Sequence, residues 1–213
     1  MLIGRQSVNT FIINDLSIQI VENPKPENSP ECNSCGEGYH WNKTWPASLA
    51  LSRFLTEGFP SEKLKGCQAL VIGCGMGLEG LVLAKLGASV TFLDHIQDAL
   101  HVVSQNCLIN EIESFQTICC CWQDLNNVQT IGKYDLIIAS DILYYTDQWI
   151  WIKSLLETTL KTKGLALFSD QIRSSDVMEF FYELTKADFR FIWTEPGWAS
   201  KDQNILICCV ERL

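Results

Sequence analysis

The chain has 213 residues, 47% of them hydrophobic and 19% charged, which excludes a disordered polymer and suits one domain with a sizeable core, with or without a short extension. A net charge of -9 and a pI near 4.8 oppose nucleic-acid phosphates and anionic membrane surfaces as partners, because no Lys/Arg cluster rises above the acidic background. No apolar run reaches the roughly 18 residues of a membrane span, and none follows Arg5, so the expectation is a soluble, unexported, cytoplasmic protein.

In chain order, FIINDLSIQIV at 11–21 holds two β-rich runs around Asn14-Asp15 and predicts a hairpin. A loop rich in Pro, Asn and Glu follows and contains Cys32 and Cys35. With His40 these give C-x2-C-x4-H, but Trp45 stands where a fourth zinc ligand belongs, and no metal site is expected. The ten cysteines lie in adjacent groups (Cys119 to Cys121, Cys208 and Cys209) or in apolar runs, which suits free thiols in a reducing compartment better than a disulfide framework. Residues 1–44 therefore read as an N-terminal extension and 45–213 as the main domain.

Pro46 opens a helix with Ala47, Ala50, Leu51, Phe54 and Leu55 on one face. Strands are expected at about 68–72, 89–93, 116–121, 134–140, 164–169, 188–193 and 204–210. Helices with apolar stripes separate them, one running from Ile152 to Leu160 behind a cap at Asp147. Only TEPGWASKDQ joins the last two strands, too short for a crossover helix, so they should form an antiparallel hairpin. The fold class is thus α/β: a Rossmann-like open seven-stranded sheet, helices on both faces, and a C-terminal antiparallel hairpin.

The most informative stretch is ALVIGCGMGLEGLVLAKLGASVTFLD, from Ala69 to Asp94. A strand, a glycine-crowded turn, a helix N-terminus and a second strand ending in a carboxylate together make a nucleotide-type cofactor site. Read from Gly75, GMGLEG fits the dinucleotide pattern G-x-G-x-x-G; read from Gly73, the same residues give G-x-G-x-G. Further candidates follow later strands. Trp122 comes after the third, and Ser140-Asp141-Ile142-Leu143-Tyr144-Tyr145 after the fourth. Arg173 follows the fifth and is open between acceptor binding and a structural place ahead of the next helix.

The terminal hairpin separates the two cofactor readings, because it looks like the class I methyltransferase fold rather than a dehydrogenase. Trp45-Pro-Ala-Ser, the glycine turn, Trp122 and Asp141-x-x-Tyr144 together resemble the seven-β-strand protein-lysine methyltransferases grouped as the methyltransferase-16 family. That family includes the electron-transfer-flavoprotein β-subunit lysine methyltransferases. The resemblance implies S-adenosyl-L-methionine as cofactor, with S-adenosyl-L-homocysteine as product. It implies Gly73, Gly75 and Asp94 as cofactor ligands, Trp122 packed on adenine and Trp45 bordering the cofactor. Cys74, Gly77, His95 and Ser140 complete that expected wall, and Asp141 with Tyr144 would line the acceptor site as catalytic residues. The implied acceptor is a protein lysine or a small amine. A nicotinamide-type small-molecule N-methyltransferase and a cofactor-binding protein without turnover stand as alternatives. One departure motivates the last of these: Val71 occupies a position where the family usually carries an acid.

Overall fold

The structure is a computed structural model and describes residues 7–22, 40–124, 131–172, 176–196 and 204–213. Cys32, Cys35 and Arg173 lie outside the described residues. Strands β1 (Ser7–Ile13) and β2 (Leu16–Glu22) form the expected hairpin, turning at Asn14 in the left-handed region with φ 52°. Helix α1 (Pro46–Glu57) leads into β3 (Gln68–Ile72), α2 (Leu78–Lys85), β4 (Ser89–Asp94), α3 (Gln97–Ile109) and β5 (Phe115–Cys119). There follow β6 (Tyr134–Ser140), α4 (Trp149–Thr159), β7 (Leu160–Gln171), α5 (Asp176–Thr185), β8 (Phe189–Pro196) and β9 (Ile205–Arg212).

The main sheet runs β5-β4-β3-β6-β7-β9-β8. Strands β3 to β7 are parallel, and β9 lies antiparallel to both β7 and β8. Strand order reverses between β3 and β6, and a ligand crevice opens beyond the carboxyl ends at such a point.

Alternation along β3 divides the core. Ala69 and Val71 pack with α1, α2 and α3, whereas Leu70 and Ile72 pack with α4 and α5. The hairpin joins the first of these layers through Ile13, Ile18 and Ile20, all fully buried. Two asparagines, Asn106 of α3 and Asn110 at its C-terminal cap, dock β2. Asn110 accepts from the Gln19 N–H at 2.8 Å and donates to its carbonyl at 2.6 Å, as a neighbouring strand would. Asn106 accepts from the Val21 N–H at 2.7 Å and donates to the Met76 carbonyl at 3.0 Å, tying the hairpin to the glycine turn.

Three local expectations are corrected. Leu160 is the first residue of β7 rather than the end of the helix, because the chain turns extended there (φ -79°, ψ 134°) without an intervening loop. Asp147 sits in a 3-10 turn (Thr146–Gln148), and α4 starts at Trp149 with no side-chain cap. Strand β5 ends at Cys119 rather than 121, releasing Cys121 to Asp124 into a turn closed by Asp124 N–H to the Cys121 carbonyl at 2.9 Å.

Gly80 sets how closely α2 approaches the sheet. A Cβ there would fall inside contact distance of the Phe92 ring, which is itself fully buried. Gly80→Ala is expected to cost about 1–3 kcal/mol, lowering the melting temperature by roughly 2–4 °C for each kcal/mol. Phe92→Leu in the same chain should recover part of that loss, whereas additive losses in thermal melts would rule out this contact as the cause.

Candidate active site

At the switch point a cleft of about 540 Å³ opens, a volume within the usual range for small-ligand sites. Its wall gathers these candidates from the sequence: Trp45, Gly73, Cys74, Gly75, Gly77, Asp94, His95, Trp122, Ser140, Asp141 and Tyr144. These come from five separate chain segments, so the topology rather than local sequence assembles them.

The glycine turn forms the floor. Gly73 and Gly75 have φ of 60° and 50°, in the left-handed region that glycine enters without a Cβ penalty. A Cβ on Gly73 would meet Ile142 Cγ2 at 2.9 Å and the Trp122 ring at 3.6 Å, so its absence keeps the floor open. The turn is pinned from β4: Cys74 N–H donates to the Leu93 carbonyl at 3.1 Å, and Gly75 N–H donates to Asp94 Oδ2 at 3.0 Å. Burial pushes the Cys74 thiol well above the ordinary range, so the residue offers the site no thiolate.

Asp94 therefore does more than the sequence suggests. Its Oδ1 also accepts from the Ile96 N–H at 3.0 Å, and the His95 ring lies 3.5 Å away. Burial raises its pKa, against the opposing pull of the Ile96 and Gly75 N–H groups and of His95. The His95 main-chain N–H also donates to this carboxylate, and the lone pairs left over can accept a ligand hydroxyl. The His95 and Trp122 rings stand 6.4 Å apart, inclined at 61°, as a side wall.

On the opposite side, Trp45 donates its indole N–H to the His40 carbonyl at 2.8 Å, and Lys43 Nζ lies 3.7 Å above the Trp45 ring. The loop after β6 is shaped by β7: Asp141 N–H donates to the Ser169 carbonyl at 2.8 Å, and Leu143 N–H to Asp170 Oδ1 at 3.0 Å. Asp141 has φ 55° and starts no helix. Beyond it, Tyr144 and Tyr145 are 45% and 39% exposed, with ring centroids 4.5 Å apart.

Sequence reasoning missed Glu79. This residue lies in the first turn of α2, is only 2% exposed and lines the cleft. Its carboxylate accepts from Ser140 Oγ at 2.6 Å and from Ser48 Oγ. Burial raises its pKa, against the opposing pull of those two hydroxyls. It was hidden because a glutamate at a helix start normally reads as a solvated, dipole-favoured residue. The site also gains Thr44, Ser48 and Gln171. Val71, in contrast, is fully buried in apolar core and gives this wall no charge.

The residues present fit an adenosine thioether carrying an amino acid. Aromatic rings stand beside Asp94, a glycine-rich turn forms the floor, and a second buried carboxylate, Glu79, lines the same cleft. Thr44 Oγ1 is buried at the wall and finds no hydrogen-bond partner among the described residues, which suits a polar ligand group. Among those residues no His/Cys/Asp/Glu cluster could hold a metal.

The seven-stranded order with its terminal reversed strand, and a glycine-floored cleft at the switch point, define the class I methyltransferase fold. Magnesium protoporphyrin IX methyltransferase from Synechocystis PCC 6803, solved with bound S-adenosylmethionine, superposes with TM-score 0.59 at 18% identity, covering 78% of each chain. The family described as lysine methyltransferase matches residues 31–187, and the chain belongs to it. It is 31% identical over 144 residues to protein N-lysine methyltransferase METTL21A of Danio rerio, covering 66% of this chain and 65% of that one. It is 32% identical over 127 residues to histidine protein methyltransferase 1 homolog of Dictyostelium discoideum, covering 57% of this chain and 40% of that one. The chain thus spans less than two thirds of the length of these curated relatives.

Proposed function

We propose that the protein transfers a methyl group from S-adenosylmethionine to the side-chain amine of a lysine on a protein. The observation that carries this reading is the junction of two chemistries in one cleft. The turn at Gly73 to Gly77 and Asp94 suit the donor, while Asp141 and the exposed Tyr144 and Tyr145 rings suit a long cationic side chain entering from outside. The same reading gives Trp122 and His95 to the adenine end, Trp45 to the border of the donor, and Ser140 with Cys74 to the wall between.

When bound, the donor supplies an electrophilic methyl carbon on a sulfonium. The protein's task is alignment, because an in-line displacement gains most from a correctly held nucleophile. Asp141 binds and orients the incoming ammonium. A nearby anion stabilises that cation, so Asp141 does not promote loss of its proton. A free lysine amine has a pKa of about 10.4, and desolvation among Tyr144, Tyr145 and Trp45 lowers it until the proton leaves to water. The Tyr144 face adds about 0.5–2 kcal/mol for a cationic acceptor or product. All eight described cysteines are free thiols, which supports a reducing compartment such as the cytoplasm. Among the described residues no helix is long and apolar enough to cross a membrane.

Incubation of the protein with cell lysate and isotope-labelled methyl donor tests the proposal. Label is expected in a discrete protein band, and as methyl-lysine after hydrolysis. Label confined to the small-molecule fraction would move the protein to the nicotinamide-type alternative. Methyl-histidine in the hydrolysate would replace lysine as the acceptor.

A further inference from the structure

Glu79 is a buried carboxylate with no counter-charge. Among the described residues no Lys, Arg or His lies within ion-pair distance of it, and its bonding partners, Ser48, Ser140 and its own main-chain N–H, are neutral. A carboxylate held this way loses hydration that two hydroxyls replace only in part. Structural need does not explain the placement: α2 requires no acid at that position, and an apolar side chain would suit the neighbouring Leu78, Leu81 and Val82. The acid does, however, face the cleft.

Its position within the cleft is specific. Ser48 comes from α1, Ser140 is the last residue of β6, and Glu79 itself follows the glycine turn by two residues. The carboxylate is thus clamped between three elements at the turn, whereas Asp94, another buried acid of the wall, is fastened to the Gly75 and Ile96 N–H groups at the end of β4. An adenosine thioether with its sugar at Asp94 and its chain along the turn brings its amino-acid end toward α1 and β6.

We propose that Glu79 pairs with the α-ammonium of the donor's methionine part, making it the residue that selects for an intact amino-acid end. This rests on the reading of the cleft as a donor site. Two serines hold the carboxylate in place before the ligand arrives, so little ordering is left to pay at binding. The burial that raises its pKa is offset once a cation adjoins it. Ser48 and Ser140 act as positioning residues for Glu79.

Two ligands separate the parts of this claim. S-adenosylhomocysteine carries the ammonium; 5′-methylthioadenosine keeps the adenosine and sulfur but lacks the amino-acid end. In calorimetric titrations, Glu79→Gln should weaken S-adenosylhomocysteine by about tenfold or more, as expected for loss of a charge-assisted bond, and shift methylthioadenosine by less than about twofold. The unliganded variant should melt at or above the wild-type temperature, since a buried charge is removed, while the melting shift induced by S-adenosylhomocysteine shrinks. Equal weakening of both ligands, or no weakening of either, would overturn the assignment. So would unchanged donor affinity with a raised KM for the acceptor, which would give Glu79 to the incoming amine instead. If the wild-type protein binds neither compound, the donor-site reading falls first, and this inference with it.

Discussion

Asp141→Asn is expected to lower methyl transfer by about 100-fold while leaving S-adenosylhomocysteine affinity within about threefold. Asparagine is the appropriate probe because Asp141 sits at φ 55°, a region that Asn tolerates and that would burden Ala with added strain. The loop should therefore keep its shape, held by the Asp141 N–H to Ser169 and by Leu143 N–H to Asp170. What changes is the charge facing the acceptor. A neutral amide no longer draws a lysine ammonium into the cleft, and misplacement of the nucleophile by about 1 Å suffices for a loss of this size. The loss should appear in kcat/KM for the protein acceptor, measured beside donor titrations. Transfer within about threefold of wild type would deny Asp141 any role with the acceptor. Collapse of donor binding would instead move Asp141 to the cofactor wall.

Much of this architecture was legible in the chain because parallel strands buried on both faces read as short apolar runs, and the glycine turn and Asp94 sit within one continuous stretch. The terminal hairpin was legible from a single distance, the short link between β8 and β9. Boundaries were harder where the sequence permits two states. Leu160 continues the apolar stripe of α4 and equally begins β7, and only the pairing of β7 beside Tyr134 decides between them. Within the site, residues that follow a strand were visible from the rule that ligands gather at carboxyl ends. Glu79 was not, because its role depends on Ser48, which lies 31 residues earlier, and on Ser140, 61 residues later. The same holds for Asn106, whose side chain joins the N-terminal hairpin to the glycine turn across 85 and 30 residues. Spacing rules detect ligands of one turn or one helix face, not side chains that meet only when the sheet is assembled.

Asp94→Asn should weaken S-adenosylhomocysteine by about 10- to 150-fold and sharply reduce the melting shift it induces. Two carboxylate oxygens now accept from two main-chain N–H groups, Gly75 and Ile96, at 3.0 Å each. An amide offers one acceptor oxygen, so its NH2 must confront one of these donors. A buried donor left without a partner costs about 1–3 kcal/mol, and a ligand hydroxyl bonded to a charged acceptor is worth about 1.5–3 kcal/mol more. The first cost falls on the unliganded and the liganded protein alike, so the second sets the change in affinity, about 10- to 150-fold. The stability of the unliganded protein should respond far less. Burial holds the Asp94 pKa above its unfolded value, so the ionised side chain costs stability once pH rises past about 3.9 and on through the folded value, and Asn relieves that cost at neutral pH. Relief of the charge and loss of the N–H bond oppose one another, leaving a net change in melting temperature of only about 4 °C or less. Donor affinity within about threefold of wild type would show that Asp94 only fastens the turn and grips no part of the ligand, whereas a large fall in apo stability would show that the N–H bonds outweigh the buried charge.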